Sequence, residues 1–87
     1  MILGVFRISG HSMFPSFSSN NLVFVSSLLR IRNNDVVVLN FNNKNLIKRI
    51  VRISKKKVFV TGDNRNDSFE IGWIEKKNIL GKVVLKF

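Results

Sequence analysis

Two residue types in this chain could do chemistry together: a serine in a tight loop and a lysine inside an apolar stretch. The serine is Ser12, in Ser9-Gly10-His11-Ser12-Met13-Phe14-Pro15-Ser16. The lysine is Lys48, in Asn45-Leu46-Ile47-Lys48-Arg49-Ile50-Val51. A serine hydroxyl is a poor nucleophile until a base takes its proton. A lysine amine is such a base only when burial among hydrocarbon disfavours its charged form. A third segment, Gly62-Asp63-Asn64-Arg65-Asn66-Asp67-Ser68, is polar and turn-rich and is suited to holding the lysine in place. The pattern suggests a Ser/Lys hydrolase.

Each feature has a plainer explanation. Ser9, Ser16, Ser18 and Ser19 surround Ser12, so composition does not single it out. A lysine on an edge strand blunts aggregation without any catalytic duty, and spacing alone favours that reading of Lys48. His11 points away from Ser12 in an extended segment and has no acid near it in sequence to orient it. Phe14 reads as a core anchor. Met13 reads equally as a core anchor or as part of a substrate subsite. Gly10 permits a positive φ or the close approach of a substrate, and Pro15 stiffens the loop's exit.

The elements that must position these residues are strands. Val-, Ile- and Phe-rich runs separated by short polar turns predict a mostly β domain, with strands over 2–8, 22–26, 36–41, 45–53, 58–61 and 82–87. Asn42-Asn43 between two apolar runs predicts a hairpin. Asn33-Asn34-Asp35 and Ser54-Lys55-Lys56 are further turn signals. The stretch 73–79 reads as a short helical turn before Gly81. In strand 45–53, alternation places Leu46, Lys48, Ile50 and Arg52 on one face. Arg49 falls on the other face and needs an acid or solvent, and Asp63 reads as a turn former or an arginine partner.

Composition sets the limits. Eighty-seven residues, 45% of them hydrophobic, suit one small domain spanning 1–87. The absence of cysteine excludes disulfides, a thiol nucleophile and thiolate metal sites, and a lone histidine argues against a zinc cluster. No metal or cofactor is expected. A net charge of +10 favours polyanions or an anionic membrane surface. Nucleic acid is disfavoured as a partner because no basic–aromatic alternation stands out along the chain. Lys55-Lys56-Lys57 reads as a solvated turn. No apolar stretch approaches the roughly 20 residues of a membrane-spanning helix, so work at a membrane would require recruitment.

Ser12-Met13-x-Pro15, then Lys48-Arg49 on a strand, then Gly62-Asp63-Asn64-Arg65 with Ser68, resembles the signal peptidase I family of serine proteases. Ile79-Leu80-Gly81-Lys82-Val83 is similar to that family's closing strand, so the resemblance covers nearly the whole chain. It implies a single small barrel-like or coiled antiparallel sheet and cleavage of a leader or signal segment from a peptide or preprotein. Ser12 would match the nucleophile, its backbone N–H an oxyanion donor, Lys48 the general base and Ser68 the residue that orients the lysine. Gly10 and Met13 would border the substrate. The resemblance also implies membrane association, which without an anchor means a cytoplasmic or peripheral protein. The chain departs from the family at Ser68-Phe69-Glu70-Ile71-Gly72-Trp73, where an Asp-Ser-Arg step is usual. It also lacks the Gly-x-Pro-Gly-Asp segment and the large second β domain, and so looks like the compact branch that includes maturation proteases of nickel superoxide dismutase. A self-cleaving protease of the SOS-repressor type shares the dyad and is the enzymatic alternative. A non-enzymatic basic β-barrel that binds nucleic acid is the alternative from another class.

Overall fold

A computed structural model describes residues 3–8, 10–64 and 71–86. Its strands are β1 (Leu3–Arg7), β2 (Leu22–Ser26), β3 (Val36–Phe41), β4 (Lys44–Ile53), β5 (Lys57–Thr61), β6 (Gly72–Glu75) and β7 (Ile79–Lys86). They form one seven-stranded sheet in the order β1-β2-β7-β3-β4-β5-β6, and every neighbouring pair is antiparallel. This is the mostly β, coiled antiparallel sheet expected from the sequence.

Strand β3 explains how so small a sheet has two interiors. Its run Val36-Val37-Val38-Leu39 is buried throughout, as expected of a strand covered on both faces. Val36 and Val38 join Ile8, Met13, Phe17, Val23, Val25 and Ile47 in one core. Val37 and Leu39 join Ile50, Val58, Val60 and Ile74 in the other. Each such side chain contributes about 1.5–3 kcal/mol when fully buried, so the alternation along β3 ties both halves to one strand.

The turns follow their residue types. Asn42 and Asn43 take φ values of +52° and +64°, the double positive φ of a two-residue hairpin turn. They connect the paired residues Phe41 and Lys44. Asn34 takes φ +74°, and its N–H donates to the Ile50 carbonyl at 2.8 Å. The turn at 33–35 is thereby docked on β4.

Two expectations need correction. The stretch 73–79 holds strand β6 before the helical turn, which is a 3₁₀ helix over Lys76–Asn78. Four residues with only Ile74 buried carry too weak a pattern to read as a strand. β5 makes it one, pairing Phe59 with Trp73 and Val58 with Ile74. The last strand also starts earlier than the 82–87 read from its residues, at Ile79 as the resemblance implied, so Gly81 lies inside it. A Cβ at Gly81 would fall 2.5 Å from Val25 Cγ1 and 2.7 Å from the Ser26 carbonyl oxygen. Glycine is there because β2 and β7 approach too closely for any side chain.

Candidate active site

The Ser12 loop connects β1 to β2. At its base, Ile8 N–H donates to the Asn21 carbonyl and Asn20 N–H to the Ile8 carbonyl, at 2.9 and 2.8 Å. Inside it, Phe14 N–H donates to the His11 carbonyl and Phe17 N–H to the Met13 carbonyl. Ile8, Met13 and Phe17 enter the first core. The apolar side chains thus act as a plug beneath the loop and leave Ser12 half-buried at the surface.

Met13 and Phe14 reverse the expected division of labour. Met13 is 1% exposed, whereas Phe14 is 50% exposed. Met13 is therefore the anchor, and its buried side chain does not border the cleft beside Ser12. Of the two readings of Met13, burial supports the packing one. Phe14 faces solvent and is not the core anchor that its type suggested. Gly10 takes φ +86°, with open space where a Cβ would stand, so the backbone conformation alone demands glycine. His11 is exposed, and its contribution to the loop is its carbonyl.

The polar segment after β5 clasps this loop. Asn64 N–H donates to the Ser12 carbonyl at 2.8 Å, and Asn64 Nδ2 donates to the His11 carbonyl at 2.9 Å. Asp63 N–H donates to Met13 Sδ at 3.4 Å. The neighbouring Ser16 hydroxyl helps to lower the Asp63 carboxyl.

Arg49 fixes the clasp to β4. Its Nε and Nη2 donate to Asp63 Oδ1 and Oδ2, each at 2.8 Å, and its Nη1 donates to the Asn34 carbonyl at 2.7 Å. Such a fork on a carboxylate is directional as well as strong. It holds the Asp63 carboxyl below its ordinary range, and the hydrogen bond from Arg49 outweighs the opposing effect of burial. The same contact raises Arg49. Asp63 is thus the arginine partner that the sequence suggested.

Lys48 precedes Arg49 and lies opposite Val37 of β3. It is 2% exposed, the largest of the fully buried side chains among the described residues. β4 is flanked by β3 and β5, so the edge-strand reading of Lys48 fails. Leu46 and Ile50, two residues to either side, both pack in the second core. No buried side-chain nitrogen or oxygen among the described residues lacks a hydrogen-bond partner. The expected alternation ends at Ile50. A bulge follows it, so that Ile50 pairs with Val60 but Arg52 with Phe59. Arg52 is exposed, and Ile53 packs inward in its place.

A cleft runs beside Ser12, and Lys48 is not among the described residues that line it. Phe6, Arg7 and Ile8 of β1 and its exit line one side, Asn45, Leu46 and Ile47 of β4 the other, with Ser12 at the rim. The serine loop therefore stands beside the stretch of β4 that ends in the buried lysine. Ser68 lies outside the described residues. Asn64 is the residue that sequence reasoning missed. Its partners lie more than fifty positions away, and only the polar turn signal marked its segment. Among the described residues no group of His, Asp and Glu could hold a metal ion, and no helix is long and apolar enough to cross a membrane.

The family model described as Peptidase S24-like matches residues 3–84. No curated protein matches the chain significantly. The match runs from the first strand to the last and takes in both the serine loop and the lysine strand. The chain belongs to the Peptidase S24-like family, the Ser/Lys proteases of the signal peptidase I and SOS-repressor type.

Proposed function

We propose that the chain is a serine endopeptidase in which Ser12 is the nucleophile and Lys48 the general base. The observation that carries this reading is the burial of Lys48 in the strand that shares a cleft with Ser12. An amine so enclosed is desolvated, which disfavours its ammonium form. The neutral amine accepts the Ser12 proton as Oγ attacks the scissile carbonyl. The Ser12 backbone N–H supports the oxyanion. The lysine ammonium then protonates the leaving amine, and water activated by the same lysine releases the acyl group. In this reading Ser68 orients the lysine and Gly10 lets the substrate backbone approach.

The substrate is a leader or signal segment, bound in the cleft between β1 and β4. Its apolar wall of Phe6, Ile8, Val23, Val38, Leu46 and Ile47 suits small or aliphatic side chains. Net positive charge provides for contact with an anionic membrane surface where such substrates emerge. The Peptidase S24-like match equally covers self-cleaving repressors, so the test must separate the two. A serine-reactive acylating probe should label the wild type and not Ser12→Ala or Lys48→Ala. Cleavage of a leader peptide added in trans, at a rate proportional to enzyme, supports the peptidase. Loss of one internal bond, independent of enzyme concentration, would mark self-cleavage instead. Probe labelling that persists in Ser12→Ala would remove the proposed nucleophile.

A further inference from the structure

The outer face of β4–β6 is built unlike the rest of the surface. Val51, Arg52, Phe59 and Trp73 line a groove there. Trp73 is 48% exposed and meets Phe59 edge to face, with ring centroids 5.5 Å apart and planes at 83°. The bulge after Ile50 turns Arg52 outward beside these rings. One rung along the same face, Lys57 pairs with Glu75 across β5 and β6. Beyond it, Lys55, Lys56, Lys76 and Lys77 surround a second cleft with Glu75. Lys76 N–H donates to the Lys56 carbonyl at 2.9 Å, which holds the two lysine pairs together. Glu75 is the one acid lining either cleft among the described residues, and it pairs with Lys77 at 3.6 Å.

We propose that this face binds single-stranded nucleic acid, stacking a base on Trp73 and seating phosphates on Arg52 and the lysines of the adjoining corner. Stacking on an exposed ring beside a basic track is the general chemistry of single-strand binding. The charge excess suits a polyanion, and the ring pair selects one that carries planar groups. An acidic peptide would use the cations and leave the rings idle. A membrane wedge needs protruding apolar side chains, whereas these line a groove. Net charge alone left nucleic acid as an alternative without a site, because Arg52, Lys57, Phe59 and Trp73 come from three strands and no basic–aromatic alternation marks them along the chain. The face is separate from the Ser12 loop, and the proposal stands whether or not the chain is a protease.

Trp73 is the only tryptophan and there is no tyrosine, so intrinsic fluorescence reports on this site directly. Titration of the full chain with oligo(U) or oligo(dT) should quench Trp73. The apparent affinity should fall with salt, with a logarithmic slope of about −0.7 for each phosphate neutralised. With labelled oligonucleotide, Trp73→Leu should weaken binding on the order of 10-fold. The exposed pair of substitutions Lys56→Gln and Lys77→Gln should flatten the slope by about 1.4, or about 0.7 for each lysine that seats a phosphate. Circular dichroism verifies the fold of each variant, and Ser12→Ala should bind as the wild type does. Absence of quenching overturns the proposal. So does unchanged affinity in folded Trp73→Leu, polyglutamate binding as tightly as the oligonucleotide, or a response to phosphatidylserine vesicles alone.

Discussion

Two serine-bearing turns in this molecule are built on different principles. The turn at Ser54 closes at its serine on its own neighbours, with a single backbone bond from Lys76 N–H to the Lys56 carbonyl reaching it from outside. Ser54 Oγ donates to the Lys57 carbonyl at 3.0 Å and accepts from Lys57 N–H at 3.1 Å, and its lysines are exposed. The Ser12 loop is closed from afar. Asp63 and Asn64 reach it from the far end of β5, Lys86 Nζ donates to the Ser16 carbonyl at 2.8 Å, and its own Met13 and Phe17 sit in the core. A local turn can be rebuilt by any chain that passes there. A loop held by distant elements keeps its geometry only while the whole sheet is folded, which is what a nucleophile in a fixed position requires.

The largest difference should appear in activity. Ser12→Ala and Lys48→Ala should each lower peptide cleavage by at least about 10²–10⁴, the typical worth of general-base help, while Ser54→Ala should leave it unchanged. Lys48→Arg should fail as well, because a guanidinium is not deprotonated in proteins. Full activity in Lys48→Arg would sink the assigned base and, with it, the contrast between the two turns.

Stability should show the next largest effect. Asp63→Ala removes the Arg49 fork, and should cost about 1–2 kcal/mol in a partly exposed setting. It should also slow acylation of Ser12, since the clasp loses its hold on β4. A double-mutant cycle with Arg49→Ala measures the coupling. Near-zero coupling would mean that the backbone bonds of Asn64 hold the loop unaided.

The same pair carries a pH signature. The Asp63 carboxyl is lowered in the folded state, so the pair's contribution is complete above the ordinary carboxylate range. It is lost as pH falls through that range toward the depressed folded value. The melting-temperature difference between wild type and Asp63→Asn should therefore be constant near neutral pH and shrink below about pH 4. A gap that widens in acid would reverse the sign and discredit the ion pair as the stabilising contact. The smallest effect belongs to the local turn, where Ser54→Ala should cost no more than about 1 kcal/mol by thermal melting. A larger loss would show that this turn, too, is held by tertiary contacts.

Local chemistry was legible wherever it was self-contained. The strands over Leu22–Ser26 and Val36–Phe41 stand where the sequence placed them, because apolar runs bounded by polar turns leave one register. The hairpin at Asn42-Asn43 follows from residues that tolerate positive φ. Strand β6 was hidden, since its pairing with β5 supplies what its own four residues lack. The exchange between Met13 and Phe14 was hidden for a similar reason. Both are apolar neighbours, and only the direction in which the loop enters the first core decides which one is buried.

The amino-acid sequence by itself determined the class of fold and placed Arg49 on a face where it needed an acid or solvent. These depend on residue type, alternation and turn propensity, which act over a few positions. Only the tertiary structure decided that Lys48 is enclosed between β3 and β5, that Asn64 holds the Ser12 carbonyl, and that a bulge after Ile50 turns Arg52 out beside Trp73. Burial, register and contacts across fifty residues depend on which strands become neighbours, and that is a property of the folded sheet.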